Sequence, residues 1–277
     1  MTNEPRREAS GGISLLRAGG ASGRPLVLLH GIGSNSQSFA AMMTLMAPSR
    51  PLLAWDAPGY GASTPLSSEW PPADDYAAAL LGVLDRLGIG TIDLLGHSMG
   101  ALVAGRFARN LPKRVARLIL ASPALGYATK PGEPLAPPAA ARLDAMIAEG
   151  ASRFAATRGP RLVHASHDPV LVAGVVKGMS EVKLPGYAHA SRMLSCADLV
   201  GEAGHIGMPT LVLVGVEDTV TPPANCRRLY DAIAAASPSL GHRFETIPEA
   251  GHAVPQEKPE AVAELVAAFA PPVPAEN

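Results

Sequence analysis

Short runs in which almost every position is apolar alternate along the chain with longer stretches whose apolar residues recur every three or four positions. The runs lie at Pro25–Leu29, Leu52–Trp55, Thr91–Leu95, Val115–Ala121, Pro209–Gly215 and Arg243–Ile247. Most are rich in Val, Ile and Leu and end on turn residues, as strands buried on both faces do. Between them, Ser36–Met46, Asp74–Leu87, Ala101–Leu111, Ala224–Ala236 and Pro259–Ala268 carry helical spacing. Strands alternating with helices predict an α/β protein with a doubly wound, mainly parallel sheet and helices on both faces. Ligands bind such sheets beyond the carboxyl ends of the strands, so the residues that follow each strand are the first place to look for chemistry.

From residue 123 to residue 205 the alternation stops. Pro131, Pro134, Pro137 and Pro138 open this stretch, and helical segments without clear strands follow. Ordinary connections run to about 4–6 residues. The expected organisation is therefore a core made of residues 1–122 and 206–277, with 123–205 inserted as a mainly helical cap; peripheral helical padding is the plainer alternative. The Pro-rich tail, Pro271–Asn277, reads as a frayed end.

Composition narrows the partners. The 277 residues are 47% hydrophobic and 17% charged, which suits one large globular core. A formal net charge of −1 offers no long-range attraction to nucleic acid or to an anionic membrane, leaving a small molecule as the expected partner. Met1–Gly12 has no apolar run of the kind a signal peptide needs, and no stretch approaches the roughly 20 apolar residues of a membrane span. A cytoplasmic protein is expected, and a homo-oligomer is compatible with the pattern. Cys196 and Cys226 have neither metal-site nor redox-pair spacing and read as reduced packing residues.

The run ending at Leu95 leads directly into Gly96-His97-Ser98-Met99-Gly100 and then into a helix of small residues. Gly-x-Ser-x-Gly alone is a weak signal, since a glycine-rich turn with a bystander serine would match it. Between a strand and a helix it is a turn that lifts a serine hydroxyl above the sheet. Gly96 and Gly100 let neighbouring backbone approach, and the helix N-terminus favours negative charge developing nearby. Leu26–Leu29 likewise ends in His30-Gly31-Ile32-Gly33-Ser34. Two backbone N–H groups, from Ile32 and Met99, make the candidate oxyanion hole. His30, Gly31 and His97 are assigned to shaping the site, a tight structural turn being the plainer alternative for the first two. Asp56-Ala57-Pro58-Gly59-Tyr60-Gly61 follows another strand; Asp56 is expected to hold backbone N–H groups in that turn.

Thr210–Val214 delivers Glu217 and Asp218 to a strand end, and Arg243–Ile247 delivers Gly251-His252. His252 is the candidate base and Asp218 the carboxylate that fixes its tautomer, with Glu217 as the fallback. His164 and His167-Asp168 look like half a metal site but have no further ligand, so cap packing is preferred; His189, His205 and His242 carry no motif.

His30-Gly31, the Asp56–Gly61 turn, Gly96–Gly100, Gly215–Asp218 and Gly251-His252 stand in the order found in α/β-hydrolases. The chain resembles that family from Leu26 to Ala270, most closely its 3-oxoadipate enol-lactonase-like and meta-cleavage-product hydrolase-like members. The resemblance implies a Ser98–His252–Asp218 hydrolase cleaving an ester, lactone or diketone with no cofactor and no metal, the cap serving as a lid. Arg192, or another cation of the cap, is the candidate partner for a substrate carboxylate. Three alternatives stay open: hydrolysis of a carbon–carbon bond in a vinylogous 1,5-diketone, cofactor-free haloperoxidase or perhydrolase chemistry, and ligand binding without catalysis.

Overall fold

The apolar runs pair side by side into one sheet whose period-two alternation feeds two separate cores. In this computed structural model residues 4–20, 22–164 and 168–273 are described. The strands are β1 (Arg6–Ser10), β2 (Ile13–Ala18), β3 (Leu26–Leu29), β4 (Leu52–Trp55), β5 (Ile92–His97), β6 (Val115–Ala121), β7 (Thr210–Gly215) and β8 (Arg243–Ile247). The helices are α1 (Ala40–Met46), α2 (Ala73–Arg86), α3 (Met99–Asn110), α4 (Pro137–Arg158), α5 (Pro169–Ser180), α6 (Leu184–Cys196), α7 (Pro223–Ala236), α8 (Val254–Glu257) and α9 (Pro259–Phe269). Val27, Leu29, Leu94, Leu118, Leu120, Val212 and Val214 pack with α2, α3 and α7. Their neighbours Leu26, Leu28, Leu95, Ile119, Leu211 and Leu213 pack on the other face with α1 and α9. A strand covered on both faces must be apolar at every position, which is why these runs do not alternate.

The sheet order is β1-β2-β4-β3-β5-β6-β7-β8. Strands β3 to β8 are parallel; β1 and β2 form an antiparallel hairpin docked against β4. β3 pairs with β4 on one side and β5 on the other, so the chain reverses its direction of travel across the sheet between β4 and β5. That reversal opens a crevice above Leu29 and Gly96, where loops leave in opposite directions.

The six expected strands are present to within two residues at either end. The β1–β2 hairpin is the part the hydrophobic pattern does not announce. β1 is a half-exposed edge strand carrying Arg6, Arg7 and Glu8, and charge on an edge discourages further pairing at the cost of the apolar signature. The Ser36–Met46 segment begins as a 3₁₀ turn, Ser36–Phe39, before α1, with Asn35 accepting from the Gln37 N–H at its start.

Residues 123–205 carry α4, α5 and α6, and a single bridge, Gly126 with Asp198, is their only β-pairing among the described residues. Gly150 breaks α4 at φ 73° and ψ 160°. The layer is fastened to the sheet by Asn35 Nδ2 donating to Glu181 Oε2 at 3.1 Å and by Lys183 Nζ donating to the Gly61 carbonyl at 2.8 Å. Gly59 and Gly186 meet backbone to backbone; a Cβ on Gly186 would stand 2.3 Å from the Gly59 oxygen. Among the described residues no helix is long and apolar enough to cross a membrane.

Candidate active site

The turn between β5 and α3 contains one residue, Ser98, at φ 52° and ψ −115°. A side chain rarely adopts this backbone, and holding it there costs about 1–3 kcal/mol. The surroundings enforce it. Ser98 N–H donates to the Ala121 carbonyl at 3.0 Å, and the Ser98 carbonyl accepts from Ala101 and Ala124. A Cβ on Gly96 would lie 2.3 Å from the Gly100 oxygen, and one on Gly100 would lie 2.1 Å from the Leu29 oxygen. Both glycines are thus required for β3, β5 and α3 to converge, and the result is a buried serine at the first turn of a helix.

His252 and Asp218 arrive from the loops after β8 and β7. His252 Nε2 is 3.0 Å from Ser98 Oγ, and Nδ1 is 2.9 Å from Asp218 Oδ2. Glu217 turns away and accepts from the Ala250 N–H, so Asp218 is the carboxylate on the histidine. Burial alone would raise the Asp218 pKa. The hydrogen bond and charge of His252, with the Thr221 N–H and hydroxyl, outweigh burial and hold it at about 2. Thr221, which sequence reasoning passed over, places Oγ1 at 2.8 Å from Asp218 Oδ2, 3.0 Å from the Ser122 carbonyl and 3.2 Å from His252 Nδ1. Its signal was the Asp-x-x-Thr spacing: Asp218 Oδ1 accepts the Val220 and Thr221 N–H groups in an Asx-type turn.

His30 is buried and neutral in its hydrogen-bonding role. Its Nε2 accepts from the Ala57 N–H at 2.9 Å, which leaves Nδ1–H to donate to the Gly31 carbonyl at 2.8 Å. Burial lowers its pKa, against the Gly31 hydrogen bond and the Asp56 charge. In a trans peptide C=O and N–H point in opposite directions. Tying down the Gly31 carbonyl therefore aims the Ile32 N–H the other way, and among the described residues that N–H and the Met99 N–H have no other partner. Tyr60 Oη donates to the Ile32 carbonyl at 2.8 Å and secures the next peptide. Asp56 reaches further than its own turn: Oδ1 accepts from Ser36 N–H at 2.9 Å, and Oδ2 accepts from Ser14 Oγ and Arg7.

His97 donates from Nε2 to the His252 carbonyl at 2.8 Å, with the two rings 5.1 Å apart. Burial, then the neighbouring His252, push its pKa down to about 3, so it adds no second charge beside His252. Cys226 lies under the Asp218 loop and donates to the Thr221 carbonyl; burial and then Asp218 push its thiol up to about 12.

Above Ser98 lies a cavity of about 740 Å³, with Gly31, Ile32, His97 and His252 around the serine and Phe154, Val175, Met179, Tyr187 and Leu194 from α4, α5 and α6. Arg192 does not line it; its guanidinium donates to the Glu69 carbonyl and stacks over Trp70. The arginines of α4 that do line it are Arg142 and Arg158. Asp168 caps α5 through the Val170 and Leu171 N–H groups, and His164 N–H donates to Glu257. His167 lies outside the described residues, among which no cluster of His, Cys, Asp or Glu could hold a metal ion. His242 bridges Thr210 N–H and the Ser237 carbonyl, a packing role.

The model of the alpha/beta hydrolase family matches residues 26–265. A dihydrolipoyllysine-residue acetyltransferase component of an acetoin cleaving system from Pseudomonas putida is 31% identical, over 96% of this chain and 69% of that protein. A pimeloyl-[acyl-carrier protein] methyl ester esterase from Pectobacterium atrosepticum is 29% identical, over 91% of this chain and 96% of its own. The crystal structure of the enol-lactonase from Burkholderia xenovorans LB400 superposes with a TM-score of 0.81 at 25% identity, covering 95% of this chain and 99% of that one.

Proposed function

The chain belongs to the alpha/beta hydrolase family, and on that premise we propose that it cleaves an ester or lactone through Ser98, His252 and Asp218. The observation that carries this reading is the unbroken line Ser98 Oγ–His252 Nε2 at 3.0 Å and His252 Nδ1–Asp218 Oδ2 at 2.9 Å, standing at the foot of a cavity. An esterase and an enol-lactonase among the similar proteins support the same bond type.

In the proposed cycle Ser98 Oγ attacks the carbonyl carbon while His252 Nε2 takes the hydroxyl proton. Asp218, ionised, holds Nδ1–H and stabilises the imidazolium. The carbonyl oxygen, now an alkoxide, takes the Ile32 and Met99 N–H groups, the latter at the N-terminus of α3. As the C–O bond breaks, His252 returns the proton to the leaving oxygen. Water then attacks the acyl-serine with His252 again as base, releasing the acid and restoring Ser98. The helices of 123–205 act as a lid that shapes the acyl pocket and restricts water.

A panel of 4-nitrophenyl esters, small lactones and a vinylogous 1,5-diketone, with a fluorophosphonate probe run in parallel, tests the reading. Turnover and labelling in the native protein, both lost in Ser98→Ala with an unchanged circular dichroism spectrum, are the expected result. Turnover that survives Ser98→Ala, or a folded native protein that neither turns over nor labels, sinks it. A preference for the diketone over every ester and lactone would move the assignment to carbon–carbon bond hydrolysis.

A further inference from the structure

Charge in the cavity is one-sided. Arg7, Arg142, Arg158, Lys177 and Arg228 line it against a single carboxylate, Glu181, although the whole chain is nearly neutral. Glu181 is already engaged by the Asn35 amide, and Arg7 by Asp56. Arg142 and Arg158 are different. Arg24 and Arg50 are paired with Asp93, and Arg106 with Asp74 and Glu202. Arg142 and Arg158 make no ion pair among the described residues.

We propose that Arg142 and Arg158 form a subsite for a carboxylate carried by the substrate, so that the preferred ester or lactone is an anionic one. The proposal rests on the hydrolase reading of the site and specifies its substrate class. Both guanidiniums are held before any ligand arrives. Arg158 lies over the Phe154 ring at 5.4 Å, and Phe154 meets Tyr187 edge-on with ring centres 5.6 Å apart. Arg142 Nη2 is 3.4 Å from Tyr127 Oη. Tyr187 is buried between them, and both cations act on its hydroxyl, countering the upward pull of burial. Burial, together with the like charges of Arg142 and Arg161, lowers the Arg158 pKa. Two half-shielded cations with no carboxylate in ion-pair contact, Glu149 acting on Arg158 only through its field, repel each other, and an arriving carboxylate offsets that repulsion while filling a planar donor fork. Arg192, the sequence-based candidate for this role, is occupied by Trp70 and the Glu69 carbonyl.

The test separates binding from hydrolysis. Monomethyl adipate and dimethyl adipate, alike in length and differing by one charge, are titrated calorimetrically into the full-length Ser98→Ala protein. The monoanion is expected to bind about tenfold more tightly, the scale of one hydrogen-bonded charge. That advantage should vanish when Arg142→Gln and Arg158→Gln are added and survive in part with Arg142→Lys and Arg158→Lys. If the double glutamine variant fails to fold, each single variant should lose part of the advantage. Equal affinity for the two esters, binding by neither, or an advantage that survives the glutamine changes overturns the proposal. Charge-selective binding beside a native protein that hydrolyses no ester would overturn only the hydrolase reading.

Discussion

His30 touches no part of the Ser98–His252–Asp218 line, yet its bond to the Gly31 carbonyl sets the direction of the Ile32 N–H, one donor of the proposed oxyanion hole. Its two nitrogens perform separable tasks: Nδ1–H fixes the Gly31 carbonyl, and Nε2 receives the Ala57 N–H. Asparagine places an amide nitrogen near the Nδ1 position, whereas glutamine places its amide near Nε2. His30→Asn should keep the Gly31 hydrogen bond and with it the direction of the Ile32 N–H. His30→Gln should keep Ala57 and release the Gly31–Ile32 peptide. Loss of one oxyanion donor costs about 2.7–4 kcal/mol of barrier, or roughly 10²–10³ in kcat. His30→Gln should approach that loss with KM little changed, because the interaction is made with the developing alkoxide, while His30→Asn should stay within about tenfold of native, well short of a lost donor. Stability should run in the opposite order. His30→Asn strands the buried Ala57 N–H, at about 1–3 kcal/mol, whereas an under-satisfied carbonyl in His30→Gln is tolerated better. Steady-state kinetics on the best ester, with urea unfolding of both variants, reads the two orders independently. Equal kcat in the two variants, or a slower His30→Asn, would refute the reasoning.

Three further outcomes follow from the same geometry. Ser98→Gly should abolish turnover and stabilise the fold by about 1 kcal/mol or more, because glycine accepts φ 52° without strain; a lower melting temperature would count against stored strain at the turn. His97 binds a proton in the unfolded chain below about pH 6.5 but not in the native protein until about pH 3, so native stability falls as pH drops through that window. His97→Gln should flatten that slope by up to about 1.4 kcal/mol per pH unit in urea titrations, and an unchanged slope would exclude His97 as its source. Gly174 lines the cavity from α5, and a Cβ there would meet nothing within 4 Å. Gly174→Leu should be tolerated or slightly stabilising and should shift the ester panel toward shorter acyl chains, whereas an unchanged chain-length profile would take Gly174 out of the acyl pocket.

The parts of the molecule visible in the sequence are those where one physical demand dominates locally. Leu94 and Leu95 belong to opposite cores, so both must be apolar, and β5 stands out. Gly96 and Gly100 flank Ser98 in a turn where a Cβ at either glycine would collide with backbone. The β1–β2 hairpin escaped because Arg6–Ser10 is paired on one side and wet on the other, leaving no apolar run to find. Thr221, and the particular bonds by which His30 shapes its loop, escaped for a different reason. Each acts through a contact with residues distant in sequence or through a peptide plane, and neither leaves a periodic trace. Arg192 shows the limit of residue type as a guide: a cation on a helix near a cavity faced Trp70 instead, and which side it takes depends on the turn of α6 relative to its neighbours.

The end of β6 has a consequence for how such a molecule changes over time. The Ala121 carbonyl holds Ser98, the Ser122 carbonyl holds Thr221 beside Asp218, and the Ser122 N–H is tied to Leu213. Two adjacent residues thus act as a common ruler for the loops that carry Ser98 and Asp218, and the chain leaves for α4 to α6 after both marks have been set. Beyond Ala124, whose N–H still donates to the Ser98 carbonyl, and apart from Leu162, whose carbonyl holds the Ala253 N–H beside His252, the layer can drift in length and composition while the spacing of Ser98 and Asp218 stays put. One residue gained or lost at Ala121–Ser122 would throw both loops out of register at once. On the proposed lid role, selection for new substrates would work on the layer after Ala124, and a graft made there that keeps a carbonyl at the Ala253 N–H is the engineering move the architecture tolerates best.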